Sequence, residues 1–304
     1  MKLQTLAAVA LHLSLSQAIA SLGFNLGVKD NDGNCKTADE YKSDLDVLSS
    51  YSKIIKTYSV SDCNTLEVLG PVVESEGFEL TLGVWPTPSE KFQLEIETLQ
   101  SILPTLSKST IMNVLVGSEA LYRGDLTGEE LADCISQVKS ALADIKDKDG
   151  NSYGDIPIGT VDSWNKFVDG SANAAIEVSD TFYANAFSYW QGETMANSSF
   201  SFFDDIMQAM QTIQTAKGST DIDFWVGETG WATDGPNFGS AYPTVDNAKT
   251  FWQEGVCAIR GWGINTFVFE AFDEAWKGSD GSVEAHWGVF DSNRASKYSL
   301  DCSL

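Results

Sequence analysis

Histidine is nearly missing from this sequence, which has two in 304 residues, His12 and His286. A metal site or a reaction that needs a cluster of imidazoles is therefore excluded. The chain also lacks the two glycine-rich phosphate-binding loops, since neither GxGxxG after the first predicted strand nor GxxxxGK[ST] is present. We therefore expect neither a cofactor nor a metal ion.

Long apolar runs are lacking too. The apolar run over residues 6–15 is shorter than the roughly 18 to 20 residues that a membrane-spanning helix needs, and no later stretch reaches that length. Lys2 precedes this run and Ala18-Ile19-Ala20 follows it. This pattern predicts a secretory signal peptide over residues 1–20 and a mature domain over residues 21–304. Because residues 297–304 are not hydrophobic, we expect no GPI-type anchor.

Positive charge is scarce. The chain has 19 Lys and Arg against 43 Asp and Glu, for a net charge of −24. Such a surface repels phosphate backbones and anionic lipid, which argues against nucleic acids and membrane surfaces as partners. We expect a secreted or cell-wall protein, a monomer, with a neutral substrate.

Cysteine is present but never in CxxC spacing, which argues against zinc and redox sites. In an oxidising compartment, five cysteines allow up to two disulfides with one thiol left over. The sequence leaves the pairing open among Cys35, Cys63, Cys134, Cys257 and Cys302. Asn197-Ser198-Ser199 is an N-glycosylation sequon, which we expect on a loop.

Short apolar segments alternate with longer segments of helical spacing along the whole chain. Helical spacing is seen over residues 37–50, 89–106, 128–147 and 245–262. Eight strands in alternation with helices predict an α/β protein with one closed (β/α)₈ TIM barrel, and an open doubly wound sheet is the alternative. The predicted strands cover residues 22–27, 53–58, 78–85, 111–117, 156–161, 181–187, 223–227 and 265–272.

Carboxylates stand at the ends of two of these strands. Glu119 follows the fourth strand in Val116-Gly117-Ser118-Glu119-Ala120, and Glu228 follows the seventh in Val226-Gly227-Glu228-Thr229-Gly230-Trp231. Strand ends of a parallel barrel meet at one mouth, so these two carboxyl groups can flank a single glycosidic bond. A retaining glycosidase needs such a pair, one protonated and one ionised. A solitary acid after a strand more often caps a helix, but two in this context favour catalysis.

These motifs resemble glycoside hydrolase family 17, and within it the fungal cell-wall β-1,3-glucanase and glucanosyltransferase group. Residues 269–277 (FEAFDEAWK) and 284–290 (EAHWGVF) extend the resemblance over essentially the whole mature chain. It implies a TIM barrel, retention at the anomeric carbon, Glu119 as acid/base, Glu228 as nucleophile and β-1,3-glucan as substrate. The chain departs from the common pattern at Ser118, where relatives often place an Asn that holds the sugar 2-hydroxyl.

Other residues are expected to support the pair. The resemblance assigns Glu274, Lys277 and Glu284 to the support of nucleophile and sugar, and Lys277 is expected to keep Glu228 ionised. Aromatic rings at strand ends predict a sugar-binding cleft, with Tyr58 and Trp231 as the strongest candidates. The other candidates in this cleft are Trp85, Trp164, Tyr189 and Trp190 for stacking, and Asn25, Asp162 and Asn185 for hydrogen bonds to hydroxyls.

Three functions are compatible with this sequence. The first is an enzyme that forms a glycosyl-Glu228 intermediate on β-1,3-glucan and passes it to water or to another glucan. The second is an enzyme with the same barrel and mechanism that acts on another β-glycan, such as β-1,4-mannan. The third is a wall protein that binds glucan without turnover. Product analysis separates transfer from hydrolysis within the first function, and a screen of polysaccharides separates the first function from the second. Glu119→Gln and Glu228→Gln separate both from the third.

Overall fold

The computed structural model of this protein describes residues 19–278 and 281–303. Most of the predicted signal peptide, residues 1–18, lies outside the described residues. The eight strands form one closed barrel in chain order, and each strand pairs in parallel with the next. They are β1 (Leu22–Asn25), β2 (Ile54–Lys56), β3 (Glu79–Val84), β4 (Ile111–Ser118), β5 (Ile158–Ser163), β6 (Thr181–Asn185), β7 (Asp223–Glu228) and β8 (Asn265–Val268).

Each of the eight predicted strands overlaps an observed one. The barrel closes because β1 pairs in parallel with β8, so that Gly23 lies opposite Phe267. The (β/α)₈ prediction is confirmed, and the alternative of an open sheet is wrong.

Helices connect the strands on the outside. Two begin with a capping box, in which Thr37 and Glu40, or Thr127 and Glu130, satisfy each other's backbone N–H groups. The helices are α1 (Ala38–Leu48), α2 (Thr65–Glu76), α3 (Ser89–Ile102), α4 (Gly128–Leu142), α5 (Trp164–Val168), α6 (Asn173–Val178), α7 (Met195–Lys217), α8 (Val245–Phe251) and α9 (Ala258–Gly261). A π-helical segment, Trp252–Cys257, joins α8 to α9.

The core has two parts, as expected for strands that are buried on both faces. A large cluster lies between strands and helices, and a smaller one fills the barrel interior. The interior cluster consists of Leu115, Val161, Tyr183, Trp225 and Phe267. Because the interior is filled, a substrate can reach the barrel only at its ends.

Two disulfides tie loops to this frame. Cys35 is bonded to Cys63, and Cys257 is bonded to Cys302. Cys134 is buried and free. Over residues 19–278 and 281–303, no helix combines the length and apolarity needed to cross a bilayer. The same residues hold no group of three or more His, Cys, Asp or Glu side chains suited to a metal ion.

Candidate active site

Glu119 begins a tight turn at the carboxyl end of β4. Gly117 has φ +80° and Glu119 has φ +57°, a left-handed conformation that a residue with a Cβ seldom adopts. The Glu119 N–H donates to the Val161 carbonyl of β5 (3.0 Å), and its carbonyl accepts from the N–H of Arg123 (3.0 Å). The backbone thus leaves the strand abruptly and directs the Glu119 side chain toward the barrel mouth.

Glu228 is the last residue of β7 and is buried, with 7% of its surface exposed. Its Oε1 lies 3.1 Å from Nζ of Lys56, the last residue of β2, which is 1% exposed. A buried charge is tolerated only when it is paired, so the two side chains stabilise each other's charged forms. The Lys56 ammonium also lies 4.4 Å from the centre of the Tyr58 ring.

Asn185, at the end of β6, connects the two glutamates. Its Nδ2 donates to Oε1 of Glu119 (3.1 Å), and its backbone lies opposite Glu228 in the β6–β7 register. Gly227 makes this approach possible, because a Cβ there would lie 2.7 Å from Oδ1 of Asn185. The three polar side chains therefore converge at the barrel mouth.

The two carboxyl groups have different surroundings. Burial, followed by the negative charge of Glu228, raises the pKa of Glu119 to about 7, while the hydrogen bond from Asn185 opposes that rise. Burial lowers the pKa of Lys56, and its contact with Glu228 opposes that shift. Glu119 is thus suited to carry a proton near neutral pH, beside a carboxylate that is held by a buried cation.

A cavity of about 530 Å³ opens at these residues. Both Glu119 and Glu228 line it, and so do Asn185 and Glu284. Burial raises the pKa of Glu284, with Lys277 acting in the opposite direction. Aromatic rings make up much of the remaining wall, including two of the predicted stacking residues, Trp164 and Trp190. The other aromatic residues of the wall are Tyr122, Phe187, Phe238 and Phe269.

A second cavity, of about 430 Å³, lies among the loops that follow β1, β2 and β8. Three of the expected support residues line it: Tyr58, Glu274 and Lys277. The Tyr58 hydroxyl is buried and has no hydrogen-bond partner among the described residues. Burial together with four carboxylates, Glu228 first among them, raises its pKa well above the ordinary value. Trp276 is a further lining residue and is 38% exposed.

The expected partnership of Lys277 with Glu228 is wrong. Lys277 pairs with Glu270 (3.2 Å) and with Glu274, both in the loop after β8, whereas Lys56 holds Glu228. The sequence alone does not distinguish the two lysines, because Lys56 ends β2 and Lys277 follows β8, and both strands end at the barrel mouth. Lys277 therefore offsets the charge of the acidic loop next to the second cavity.

Two expected stacking residues are packed inside the protein. Trp231 is 3% exposed, and its Nε1 donates to the Tyr242 carbonyl (2.9 Å). Tyr189 is fully buried, and its hydroxyl donates to the Pro236 carbonyl (2.9 Å). Because both polar groups are used within the fold and both rings are covered, the prediction that these residues contact sugar is wrong.

Two expected hydrogen-bonding residues also serve the fold. The Nδ2 group of Asn25 donates to the carbonyls of Gly227 (3.2 Å) and Val268 (3.1 Å). The carboxylate of Asp162 accepts three backbone N–H groups. Both side chains are fully buried, so the prediction that they bind sugar hydroxyls is wrong as well.

Ser118 and Trp85 lie beside the first cavity rather than in its wall. Ser118 is 8% exposed, and its carbonyl accepts from Nη1 of Arg123 (2.6 Å). The Arg123 guanidinium lies 4.8 Å from the centre of the Trp85 ring. Arg123 therefore connects both residues to the turn that carries Glu119.

The sequon residue Asn197 is exposed. It stands in the first turn of α7, where its Nδ2 donates to Oε2 of Glu193 (2.6 Å). The expected setting on a loop is therefore wrong.

Lys56 is the candidate functional residue that the sequence reasoning missed. It lies at the carboxyl end of an apolar strand, in Ile54-Ile55-Lys56, which is the same signal that identified Glu119 and Glu228. Applying that criterion to basic residues as well as acidic ones would have found it.

A closed (β/α)₈ barrel with two glutamates at the ends of β4 and β7, in one aromatic-lined cavity, has the architecture of a glycoside hydrolase. Residues 22–302 match the sequence model of Glycosyl hydrolases family 17. The chain belongs to this family, and the predicted resemblance is confirmed.

Two fungal proteins and one solved fungal structure are similar to this chain. It is 56% identical over 307 residues to "Glucan 1,3-beta-glucosidase BGL2" of Candida albicans, covering 100% of both chains. It is 58% identical over 303 residues to "Glucan 1,3-beta-glucosidase" of Saccharomyces cerevisiae, covering 98% of this chain and 97% of the relative. An active-site mutant of Rhizomucor miehei beta-1,3-glucanosyltransferase in complex with laminaritriose is 29% identical, with a TM-score of 0.79, and the match covers 93% of this chain and 98% of that one.

Proposed function

We propose that this protein is a secreted, retaining enzyme of the cell wall that cleaves β-1,3-glucan and transfers part of it to another glucan or to water. The observation that carries the proposal is the convergence of Glu119 and Glu228 on one cavity, with the pKa of Glu119 raised to about 7 and Glu228 held by Lys56. The names of the fungal relatives support the substrate, and the glucanosyltransferase neighbour supports transfer.

In the first step, a carboxylate oxygen of Glu228 attacks the anomeric carbon while the bond to the leaving glucan breaks. Glu119 gives its proton to the leaving oxygen. Ester formation removes the charge of Glu228, which is one cause of the raised pKa of Glu119. The pKa of Glu119 therefore falls. Glu119 stays ionised after it has given up its proton, and it can act as a base in the next step.

In the second step, Glu119 takes a proton from water or from a sugar hydroxyl as that oxygen attacks the anomeric carbon. The bond to Glu228 breaks, and the carboxylate returns to its ion pair with Lys56. Two inversions retain the configuration at the anomeric carbon. Whether the product is a shorter or a longer glucan depends only on which oxygen attacks.

Product analysis tests the substrate and the transfer together. Incubation with short β-1,3-oligosaccharides should yield chains both shorter and longer than the substrate, as seen by mass spectrometry. If every product is shorter than the substrate, transfer is refuted. Turnover of β-1,4-mannan without turnover of β-1,3-glucan would refute β-1,3-glucan as the substrate.

Conservative variants test the assigned roles. Glu119→Gln and Glu228→Gln should each reduce kcat/KM by at least about 100-fold while oligosaccharide binding persists. Glu177→Gln, at an exposed position of α6, serves as the matched control and should leave both unchanged. Full activity in either active-site variant would refute the mechanism.

Secretion is a separate part of the proposal. The predicted signal peptide and the two disulfides both fit an oxidising compartment. Expression of the full chain in a yeast should deliver protein to the medium or wall with an N-terminus at Ser21. An intact Met1 on intracellular protein would refute secretion.

A further inference from the structure

The turn that carries Glu119 is held by a carboxylate that the reaction itself does not use. Asp162, in β5, is fully buried. Its Oδ2 accepts from the N–H of Leu121 (2.8 Å), and its Oδ1 accepts from the N–H groups of Tyr122 (3.2 Å) and Ser163 (2.8 Å). Both oxygens of Asp162 are therefore directed at the main chain and not at the cavity.

Glu119 needs such support because its conformation is costly. A glutamate at φ +57° is strained, and the helical turn closed by the Arg123 N–H and the Glu119 carbonyl is too short to be stable alone. The N–H groups of Leu121 and Tyr122 lie at the start of this turn, where a helix accepts a capping carboxylate. Asp162 supplies that cap from the neighbouring strand.

We propose that Asp162 is a positioning residue for the acid/base: by capping the turn, it holds Glu119 where its proton reaches the leaving oxygen. This inference rests on the proposed role of Glu119. The Arg123 guanidinium strengthens the arrangement, because it binds the carbonyl of Ser118 directly before Glu119.

Asp162→Asn tests this role with two substrates that differ only in their leaving group. A β-1,3-oligosaccharide releases a sugar hydroxyl that needs a proton, whereas 2,4-dinitrophenyl β-laminaribioside releases a phenolate that does not. Because a general acid contributes roughly 100- to 10,000-fold, displacing it should cost at least about tenfold in kcat/KM on the oligosaccharide and less than about threefold on the dinitrophenyl glycoside.

Asp147→Asn is the matched control. Asp147 is also a buried carboxylate that accepts backbone N–H groups, from Lys108, Asp149 and Asn151, but in a loop that follows α4. We expect it to change kcat/KM on the two substrates by the same factor. The ratio of the two values does not depend on the folded fraction, so partial unfolding of either variant cannot produce the expected result.

An equal loss on both substrates, or no loss on either, would overturn the role of Asp162. Glu119→Gln, measured in parallel, keeps this inference separate from the proposed function. If Glu119→Gln lacks the leaving-group dependence, the acid/base assignment fails. If Glu119→Gln shows it and Asp162→Asn does not, only the inference about Asp162 fails.

Discussion

At the scale of single residues, the proposed chemistry depends on two glutamates whose neighbours differ in charge. Glu228 contacts the buried ammonium of Lys56, whereas Glu119 contacts the neutral amide of Asn185 and lies in the field of Glu228. Identical side chains at equivalent strand ends thus have different electrostatic surroundings, which suits the two carboxyl roles of the proposed retaining reaction.

The raised pKa of Glu119 predicts how activity depends on pH. Because the acid must be protonated in the first step, kcat/KM should fall as the pH rises through about 7. A pH profile on β-1,3-oligosaccharides measures this fall of kcat/KM. A fall of kcat/KM at the ordinary pKa of a glutamate would contradict the assignment.

The same shift predicts a stability effect with a definite sign. When folding raises the pKa of a carboxyl group, the folded state binds the proton more tightly than the unfolded state. The free energy of unfolding then falls as the pH rises from the pKa of the unfolded state through that of the folded state. Glu119→Gln removes this effect, so its Tm should exceed that of the wild type at pH about 7.5 and equal it at pH about 4. Thermal unfolding with Glu177→Gln as control checks this, and equal Tm values at the higher pH would contradict it.

Lys56 carries a further prediction. Removing one partner of a buried ion pair costs about 3 to 5 kcal/mol, because the other charge is left uncompensated. Lys56→Met should therefore lower the free energy of unfolding by about this amount, and it should also lower kcat/KM because Lys56 is the cation in contact with Glu228. Lys56→Arg keeps the charge and should lose less of both. Steady-state kinetics on the folded variants measures the difference. Equal losses in the two variants would show that the charge of Lys56 is not what matters.

Single residues also show the limit of sequence reasoning. Glu119 and Glu228 could be found because strand ends of a barrel share one mouth, which the chain order alone reveals. The same criterion identifies Lys56 as a candidate, but not as the partner of Glu228, since Lys56 and Lys277 are both distant from Glu228 in sequence and only the packing of side chains selects between them. The prediction for Trp231 was wrong for a related reason: an aromatic ring close in sequence to the proposed nucleophile can face the core as readily as the cleft.

At the scale of elements, strand positions were predictable and cross-links were not. Apolar segments that lie between segments of helical spacing indicate eight strands, and this prediction does not depend on the conformation of the loops. Disulfide pairing depends on where loops meet in space, so the sequence left it open. Cys63 follows β2 and lines the second cavity, whereas the Cys257–Cys302 bond ties the end of the described chain to the helical segment that precedes β8.

This difference predicts separate effects of the two disulfides. Replacing either pair by alanine should lower the free energy of unfolding by about 2 to 5 kcal/mol. Only the Cys35→Ala/Cys63→Ala variant should also raise KM for β-1,3-glucan, because Cys63 and Tyr58 line the same cavity. Denaturant unfolding and Michaelis kinetics measure the two effects. An equal rise of KM in the Cys257→Ala/Cys302→Ala variant would contradict the separation.

At the scale of the whole molecule, the loops form a cleft with two sides. Loops after β1, β2 and β8 line the second cavity, and loops after β4 to β7 contribute most of the wall around Glu119 and Glu228. The closed order of the strands puts these two sets of loops on opposite sides of the mouth. A long glucan can therefore lie across the barrel with its scissile bond at the glutamates.

The side nearer Glu119 should hold the acceptor. In the proposed mechanism Glu119 protonates the leaving oxygen, so the leaving glucan, and the acceptor that replaces it, should lie next to this residue. Trp190 lines the first cavity, together with Glu119 and Glu228, and is 40% exposed. The rings of Tyr189 and Phe238 pack edge-on against it. An exposed ring of this kind offers a flat face for the C–H groups of a pyranose.

Trp190→Ala should therefore shift the balance from transfer toward hydrolysis. Loss of one stacking contact of about 0.5 to 1.5 kcal/mol corresponds to a roughly 2- to 10-fold lower share of transfer products at a fixed acceptor concentration. Trp262→Ala is the control, since Trp262 is 71% exposed and follows α9 at the end of the barrel where β8 begins. If both variants keep the wild-type ratio of longer to shorter products, Trp190 does not hold the acceptor. If only Trp190→Ala loses transfer while its rate of substrate consumption persists, the competition between water and sugar is decided on this wall of the cleft.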